Sequence, residues 1–266
     1  MCPIFKKKDP TDICNYRPIT LLNTDYKLLT KTLAIQLIDH VHKLIHPDQA
    51  GFIPNRSIFD HIRLAKAILN YAEATEENGT ILALDQEKVY DKIRHDYLWK
   101  TLEAFKLPNQ FVKTVRNLYH NAHTQVAING MLSKPYKVKH RVRQGDPLSC
   151  LLFDIAIEPL ACDIRNDQNI KGIKIPGLEH AIKIKLFADN TNIFLSEEDR
   201  VDKIQESLNT WCESSGARFN IEKTEIIPMG SEKHRKKIID SRKINPDDEC
   251  PYPERIRIAK DGVARL

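Results

Sequence analysis

Apolar residues recur along this chain at two spacings. Between Asp25 and Ile45 the residues Leu28, Leu29, Leu33, Leu37, Val41 and Leu44 fall at helical intervals, and Pro47 closes the run. Ser57 is a natural cap for a second helix, with Ile58, Ile62, Ala65 and Leu69 on one face. Two amphipathic segments, 95–106 and 109–120, are separated by Pro108. Leu148 to Ala161 reads as a mostly buried helix with Pro147 in its first turn, and a last helix, 198–214, carries Val201, Ile204, Leu208 and Trp211 on one stripe. The other spacing is two. Residues 3–8 and 16–22 are predicted to be extended, Pro18 favouring an edge strand. The run Ile81–Leu84 reads as a buried strand, and 124–128 and 135–140 as strands flanking the turn signal Asn129-Gly130, in a loop longer than two residues. Ile182, Ile184 and Leu186 alternate with Lys183 and Lys185, and Ile193 and Leu195 with Asn192 and Phe194, which predicts two half-buried strands. The pattern is α+β: helices packed on one face of an antiparallel sheet. The stretch 231–255, with charge runs and Pro246, Pro251 and Pro253, reads as a mobile linker.

Candidate chemistry sits where these strands end. Phe187-Ala188-Asp189-Asn190 separates the two alternating runs, and Asp189 and Asn190 both tolerate the positive φ of a tight hairpin. A carboxylate at such a tip can be approached by a hydrated cation and a phosphate together. An ordinary surface hairpin explains the same residues. The apolar run at 81–84 likewise ends abruptly in Asp85. Two-metal phosphoryl chemistry needs carboxylates from separate strands around ions about 3.5–4 Å apart. Magnesium suits hard oxygen donors and substrate phosphates. Between these segments, Arg143-Gln144-Gly145-Asp146-Pro147 forms a rigid, irregular lead into the 148–161 helix. Gly145 there permits close approach of a base or sugar.

Taken in order, the motifs carry a resemblance. Asn15-Tyr16-Arg17-Pro18-Ile19, Gln49-Ala50-Gly51-Phe52, Leu84-Asp85 through Tyr90-Asp91, Arg143 to Ser149, Phe187-Ala188-Asp189, and Ser215-Gly216 through Lys223-Thr224-Glu225 follow the order of the reverse transcriptases of non-LTR, LINE-type retrotransposons. The resemblance covers about residues 1–230. It implies a fingers–palm polymerase fold, with partial fingers at 1–80, palm at 81–230, and at 231–266 a linker and the start of a truncated palm–thumb junction. Asp85 and Asp189 would be the metal ligands, for Mg²⁺ or Mn²⁺. Asp85, Asp189, Asn190 and Lys223 would form the catalytic group, with Lys223 near the pyrophosphate leaving group. Lys7, Arg17, Tyr90, Gln144 and Gly145 would bind the nucleotide, Tyr90 lying under the sugar. The implied partners are an RNA template, a DNA primer and dNTP.

The departures bear on activity. Asn190 stands where a second aspartate is usual, Val89 where a small residue is usual, and Cys150 where proline is common. Loss of a full charge where two dications gather predicts an impaired or inactive polymerase. The chain begins inside the resemblance and no thumb, endonuclease or integrase-like segment is evident, which suggests a truncated or decayed element copy, or a fragmentary gene model. Three function classes stay open: an RNA-directed DNA polymerase, a silent nucleic-acid-binding remnant, and another metal-dependent phosphoryl-transfer enzyme such as a nuclease.

Composition adds little to this picture. Over 266 residues, 41 Lys and Arg against 36 Asp and Glu give +5 and a pI near 8.8, a mild bias toward phosphate backbones. Its distribution says more, with basic clusters at Lys6-Lys7-Lys8, Lys134 to Arg143 and Lys233 to Lys243. Six cysteines without a Cys-x-x-Cys argue against zinc and for an intracellular, nuclear or cytoplasmic chain that is not secreted. His40 and His42, two apart on a helix, read as solvent-facing, and no apolar run is long enough to cross a membrane.

Overall fold

The computed structural model describes residues 1–7, 9–138, 140, 142–248 and 251–259. Lys8, Lys139, Arg141, Cys250 and the end of the expected junction, 260–266, lie outside the described residues, as does the Val89 side chain. In chain order the elements are β1 (Cys2–Phe5), β2 (Tyr16–Ile19), α1 (Thr24–Leu44), α2 (Ile58–Thr75), β3 (Gly79–Leu84), α3 (Val89–Lys92), α4 (His95–Ala104) and α5 (Asn109–Tyr119). Then follow β4 (His123–Thr124), β5 (Ala127–Ile128), β6 (Met131–Leu132), β7 (Tyr136–Lys137), α6 (Ser149–Asn166), β8 (Ile184–Phe187), β9 (Asn190–Ser196), α7 (Val201–Ser215), β10 (Glu225–Met229), α8 (Glu232–Ser241) and β11 (Arg257–Ile258). Among the described residues, no helix is long and apolar enough to cross a membrane. The chain forms two compact units, Met1–Leu44 with Tyr90–Ala156, and Ile45–Val89 with Ile157–Leu266.

In the first unit β1 and β2 pair antiparallel from Cys2↔Ile19 to Phe5↔Tyr16. Helix α1 buries Leu33, Leu37 and Val41 of its predicted stripe, while Leu28 stays exposed, as do His40 and His42. The segments split by Pro108 are α4 and α5, buried through Leu98, Leu102, Val112 and Val115. β5 and β6 pair at Ile128↔Met131, so Asn129-Gly130 is a two-residue turn and not the longer loop expected. Both turn residues take positive φ, 50° and 79°, as a type I′ hairpin requires. Asp146 caps the start of α6, its carboxylate accepting from the Leu148 amide and the Ser149 hydroxyl, so Pro147 precedes the helix instead of opening it.

The second unit is built on a five-stranded sheet in the order β11-β10-β3-β9-β8. Its core row pairs Ile227 with Ile81 and Ile81 with Phe194, one residue from each of three adjacent strands. α2 covers this face through Ala65, Ile68 and Ala72, all buried. Of the predicted stripe, Ala65 is buried and Leu69 packs against the same cluster, while Ile58 and Ile62 lie outside it. β9 is not half-buried as its alternation suggested. Being central, it buries Ile193 and Leu195 on one face and Phe194 on the other. α6 continues past the expected stop at Ala161 to Asn166, where the Lys183 ammonium donates to the carbonyls of Arg165 and Asp167. α7 buries Ile204, Leu208 and Trp211 as its pattern predicts. The expected linker at 231–255 contains α8, capped by the Ser231 hydroxyl accepting from the His234 amide, and the cap signal was hidden by the surrounding charge.

Candidate active site

The sheet changes character along its length. Two residues beyond the apolar row Ile227–Ile81–Phe194, the register aligns Lys185, Asn192, Ala83, Glu225 and Arg257 across all five strands. These residues face the same side as α2 by the period-two rule. They line a cleft of about 380 Å³ together with Asp85, Phe187, Asn190, Lys223 and, from α2, Ile58, His61 and Ile62. Ile58 and Ile62, which the sequence placed on the core face, are therefore part of the wall of this cleft. Burial, with the Lys185 charge next, pushes the His61 pKa down and favours its neutral form.

Asp85 follows the last residue of β3, one step past the pair Leu84↔Thr191. The chain at 218–220 runs alongside it: the Glu87 amide donates to Arg218, Gln86 bridges Phe219, and the Asn220 amide donates to the Asp85 carbonyl. A 3-10 turn, Ile221–Lys223, then folds Lys223 back so that its Nζ donates to Asp85 Oδ2 at 2.6 Å. Sequence reading named both residues, and the structure brings them together.

The neighbouring hairpin is tighter than expected. Phe187 pairs with Asn190, which makes Ala188 and Asp189 the two turn residues and Asn190 the first residue of β9. Ala188 takes the positive φ, 54°, although alanine has no preference for it. The predicted turn at Asp189 and Asn190 was thus one residue late. Asp189 is half-buried and does not line the cleft, whereas exposed Asn190 lines it, as Asp85 does.

The proposed nucleotide-binding residues all belong to the first unit. Arg17 is exposed on β2 opposite Ile4, and Lys7 is exposed after β1. The Thr20 amide donates to the Gln144 carbonyl at 3.1 Å, so the end of β2 and the Gln144-Gly145 loop are held together. Gly145 has φ +99°, and a Cβ there would lie 3.2 Å from the Thr20 carbonyl oxygen. Tyr90 donates from its hydroxyl to Cys150 Sγ at 3.7 Å and lies 5.5 Å, centroid to centroid, from Phe153. Arg143 acts differently from what a basic cluster suggests. Its guanidinium stacks between Tyr26 and Tyr119, at 4.6 and 4.9 Å, and donates to the Leu118 carbonyl. Tyr119 is buried there, with its pKa pushed up to about 12 by desolvation first.

Sequence reasoning missed Lys185, Asn192, Glu222, Glu225, Arg257 and His61 as cleft residues. For Lys185 and Asn192 a signal existed, because they lie at period two from Phe187 and Asn190 on strands already predicted. Arg257 and His61 carried none. The donor types fit a hard divalent cation: the Asp85 carboxylate and the Asn190 amide carbonyl, which line the cleft, are oxygens, and so is the Asp189 carboxylate on the turn outside it. Among the described residues no group of three or more His, Cys, Asp or Glu side chains is arranged to hold a metal ion. Substrate phosphates would have to complete the shell, as is usual for magnesium. The cleft is also charge-balanced, with Asp85, Glu222 and Glu225 against Lys185, Lys223 and Arg257.

Comparison with known proteins gives this geometry its context. Residues 5–244 match the family model described as reverse transcriptase (RNA-dependent DNA polymerase). The chain is 36% identical over 228 residues to the transposon TX1 uncharacterized 149 kDa protein of Xenopus laevis, covering 85% of this chain and 17% of that protein. It is 29% identical over 153 residues to the Pol polyprotein of the type-2 retrotransposable element R2DM of Drosophila melanogaster, covering 58% of this chain and 14% of the other. Against the RNA-directed DNA polymerase of the mobile element jockey, also from D. melanogaster, it is 23% identical over 228 residues, 81% of this chain and 22% of that protein. The chain therefore spans less than a quarter of each of these relatives. Among solved structures, Candida tropicalis telomerase in complex with a TWJ fragment of telomeric RNA shares the fold, with a TM-score of 0.57 at 16% identity, over 77% of this chain and 35% of that one. The chain belongs to the reverse transcriptase family, as a domain of the kind carried by non-LTR retrotransposon polyproteins.

Proposed function

We propose that this domain is an RNA-directed DNA polymerase whose rate is held low by Asn190. Reverse transcriptases as a family use divalent metal ions. On this reading residues 1–80 carry the fingers, 81–230 the palm and 231–266 the junction beyond it. Asp85 and Asp189 would hold Mg²⁺, or Mn²⁺, which when bound would activate the primer 3′-hydroxyl and neutralise charge on the phosphates. The oxygen of that hydroxyl forms a bond to the α-phosphorus of a dNTP, pyrophosphate leaves, and the hydroxyl proton is released. Lys223, withdrawn from Asp85, would face the leaving pyrophosphate. Tyr90, Gln144 and Gly145 would line the nucleotide, with Lys7 and Arg17 toward its triphosphate, and the RNA template and DNA primer would be the macromolecular partners.

One observation carries the reading: Asp85 and Asn190 line a single cleft on a mostly antiparallel sheet, in a chain of this family. The same cleft supports the slow rate. Its formal charges cancel, and an aspartate at 190 would supply the missing negative charge where cations must gather. Primer extension on an RNA template with Mg²⁺ or Mn²⁺ tests this, comparing the native chain with Asn190→Asp. Equal rates refute the role of Asn190. The second reading, a silent nucleic-acid-binding remnant, is favoured by the asparagine at 190 and predicts salt-sensitive binding to a primer–template hybrid without extension by either protein.

A further inference from the structure

The segment Gln49 to Phe52 was singled out by its sequence and has no part in the chemistry above. It is nevertheless built against the Ala188–Asp189 turn. Gln49 is fully buried, with 0% of its surface exposed. Its Oε1 accepts from the Ala188 amide at 2.9 Å and from the Gly51 amide at 2.8 Å, and its Nε2 donates to the Ala188 carbonyl at 3.4 Å. The backbone makes the same connection, since the Leu186 amide donates to Asp48 and the Ala50 amide to Leu186. This short parallel bridge extends the sheet beyond β8.

Gly51 is the closest point. A Cβ there would stand 2.2 Å from the Ala188 nitrogen and 2.8 Å from its Cα, so only glycine fits without moving the turn. The loop that makes this approach is itself constrained. Phe52 and Asn55 both sit at positive φ, 57° and 62°. Arg56 reaches back with its guanidinium to the carbonyls of Ile45, His46 and Gln49, at 2.9, 2.7 and 2.7 Å. Strained backbone held by several hydrogen bonds persists only where the surroundings over-determine it, and here what it holds is the turn.

We propose that Gln49 is the positioning residue of this turn: its side-chain carbonyl fixes the alanine in the left-handed conformation and so sets where Asp189 and Asn190 project. Alanine gains nothing from that conformation by itself. The buried acceptor stabilises it, and an apolar side chain of the same size would leave two amides unpaired. The metal arm of the test rests on the reading of Asp189 as a metal ligand, while the exchange arm does not.

The experiment uses the full chain and its Gln49→Met, Gln49→Glu and Asp189→Asn variants. Amide exchange at Ala188 and Gly51 is followed by NMR, and binding of Mn²⁺ is titrated in the same samples by electron paramagnetic resonance of the free ion. Gln49→Met is expected to speed exchange at both amides by about tenfold or more, the scale of one lost hydrogen bond, and to weaken Mn²⁺ binding. Gln49→Glu, which keeps an acceptor oxygen for the Ala188 and Gly51 amides and gives up only the longer Nε2 bond to the Ala188 carbonyl, is expected to preserve amide protection. Unprotected amides in the native chain, or equal exchange in Gln49→Met and the native chain, would overturn the proposal. Loss of protection in Gln49→Glu would overturn it too, and that arm still decides if Gln49→Met does not fold. Lost protection with unchanged Mn²⁺ affinity would overturn the positioning role. If Asp189→Asn leaves Mn²⁺ binding unchanged, the metal-ligand reading fails instead, and exchange alone decides the inference.

Discussion

Two aspartates in the second unit each hold a lysine at 2.6 Å, and they do opposite things. Asp48 takes Lys185 on one oxygen and Arg165 on the other, with its own side chain 12% exposed and those of the cations 18% and 22%. Asp85 takes Lys223, with 24% and 57% exposed. The distance is the same and the environment is not. Around Asp48 the charges are out of water and the second cation continues to Glu158, so every member depends on the others. Around Asp85 one flexible ammonium in solvent is bound loosely enough to be displaced by a cation or a phosphate. An ion-pair distance alone does not distinguish a structural carboxylate from an available one. Burial and the number of partners do.

The sharpest way to test the difference is to delete each pair. Asp48→Asn strands Arg165 and Lys185 partly buried, and the expected loss in unfolding free energy is about 3–5 kcal/mol, read by urea denaturation. The same pair sets an acid limit. Burial raises the Asp48 pKa, but the Lys185 charge and the hydrogen bonds from Lys185 and Arg165 outweigh it and hold it below the ordinary aspartate value of 3.8. A depressed folded pKa means that this stabilisation is present above 3.8 and is lost as pH falls below it toward the folded value. Denaturation between pH 6 and pH 3 should therefore show a steeper acid limb in the native chain than in Asp48→Asn.

Next in size is the catalytic contrast. Asn190→Asp adds charge beside the available aspartate, and primer extension should rise by ~100-fold, corresponding to a few kcal/mol of transition-state stabilisation. Smaller still is Lys223→Met. Its expected effect on unfolding is within about 1 kcal/mol, despite the short distance, because the pair is solvated. A loss as large as that of Asp48→Asn would erase the distinction between the two sites. The smallest effect is that of salt: raising it to 0.5 M should remove most of what stability Lys223 contributes while leaving the Asp48 cluster nearly unchanged, measured as the difference between variant and native denaturation midpoints.

Much of the fold was readable because local chemistry and tertiary structure agreed. Ser57 capped α2 as predicted, and the stripe of Ile204, Leu208 and Trp211 became the buried face of α7. The errors arose where a neighbour overrode a local preference. Alternation around Phe194 indicated a half-buried strand, but strands on both sides and α2 above bury it completely. The hairpin shifted by one residue because Gln49, distant in sequence, rewards a left-handed alanine that no propensity scale favours. Isolated Ser231 gave too weak a signal to reveal α8 among so many charges.

By itself the sequence determined the ordered motifs that mark a reverse transcriptase, the strand ending at Asp85, and the asparagine at 190. These follow from residue type and short-range period, which a linear chain displays directly. Only the tertiary structure decided that Asn190 and not Asp189 lines the cleft with Asp85, that Lys185 and Arg257 complete a neutral ring of charge, and that Gln49 and Gly51 secure the turn. Those facts depend on strand register and on contacts across more than a hundred residues, and a shift of one position in register would reverse which face each side chain occupies.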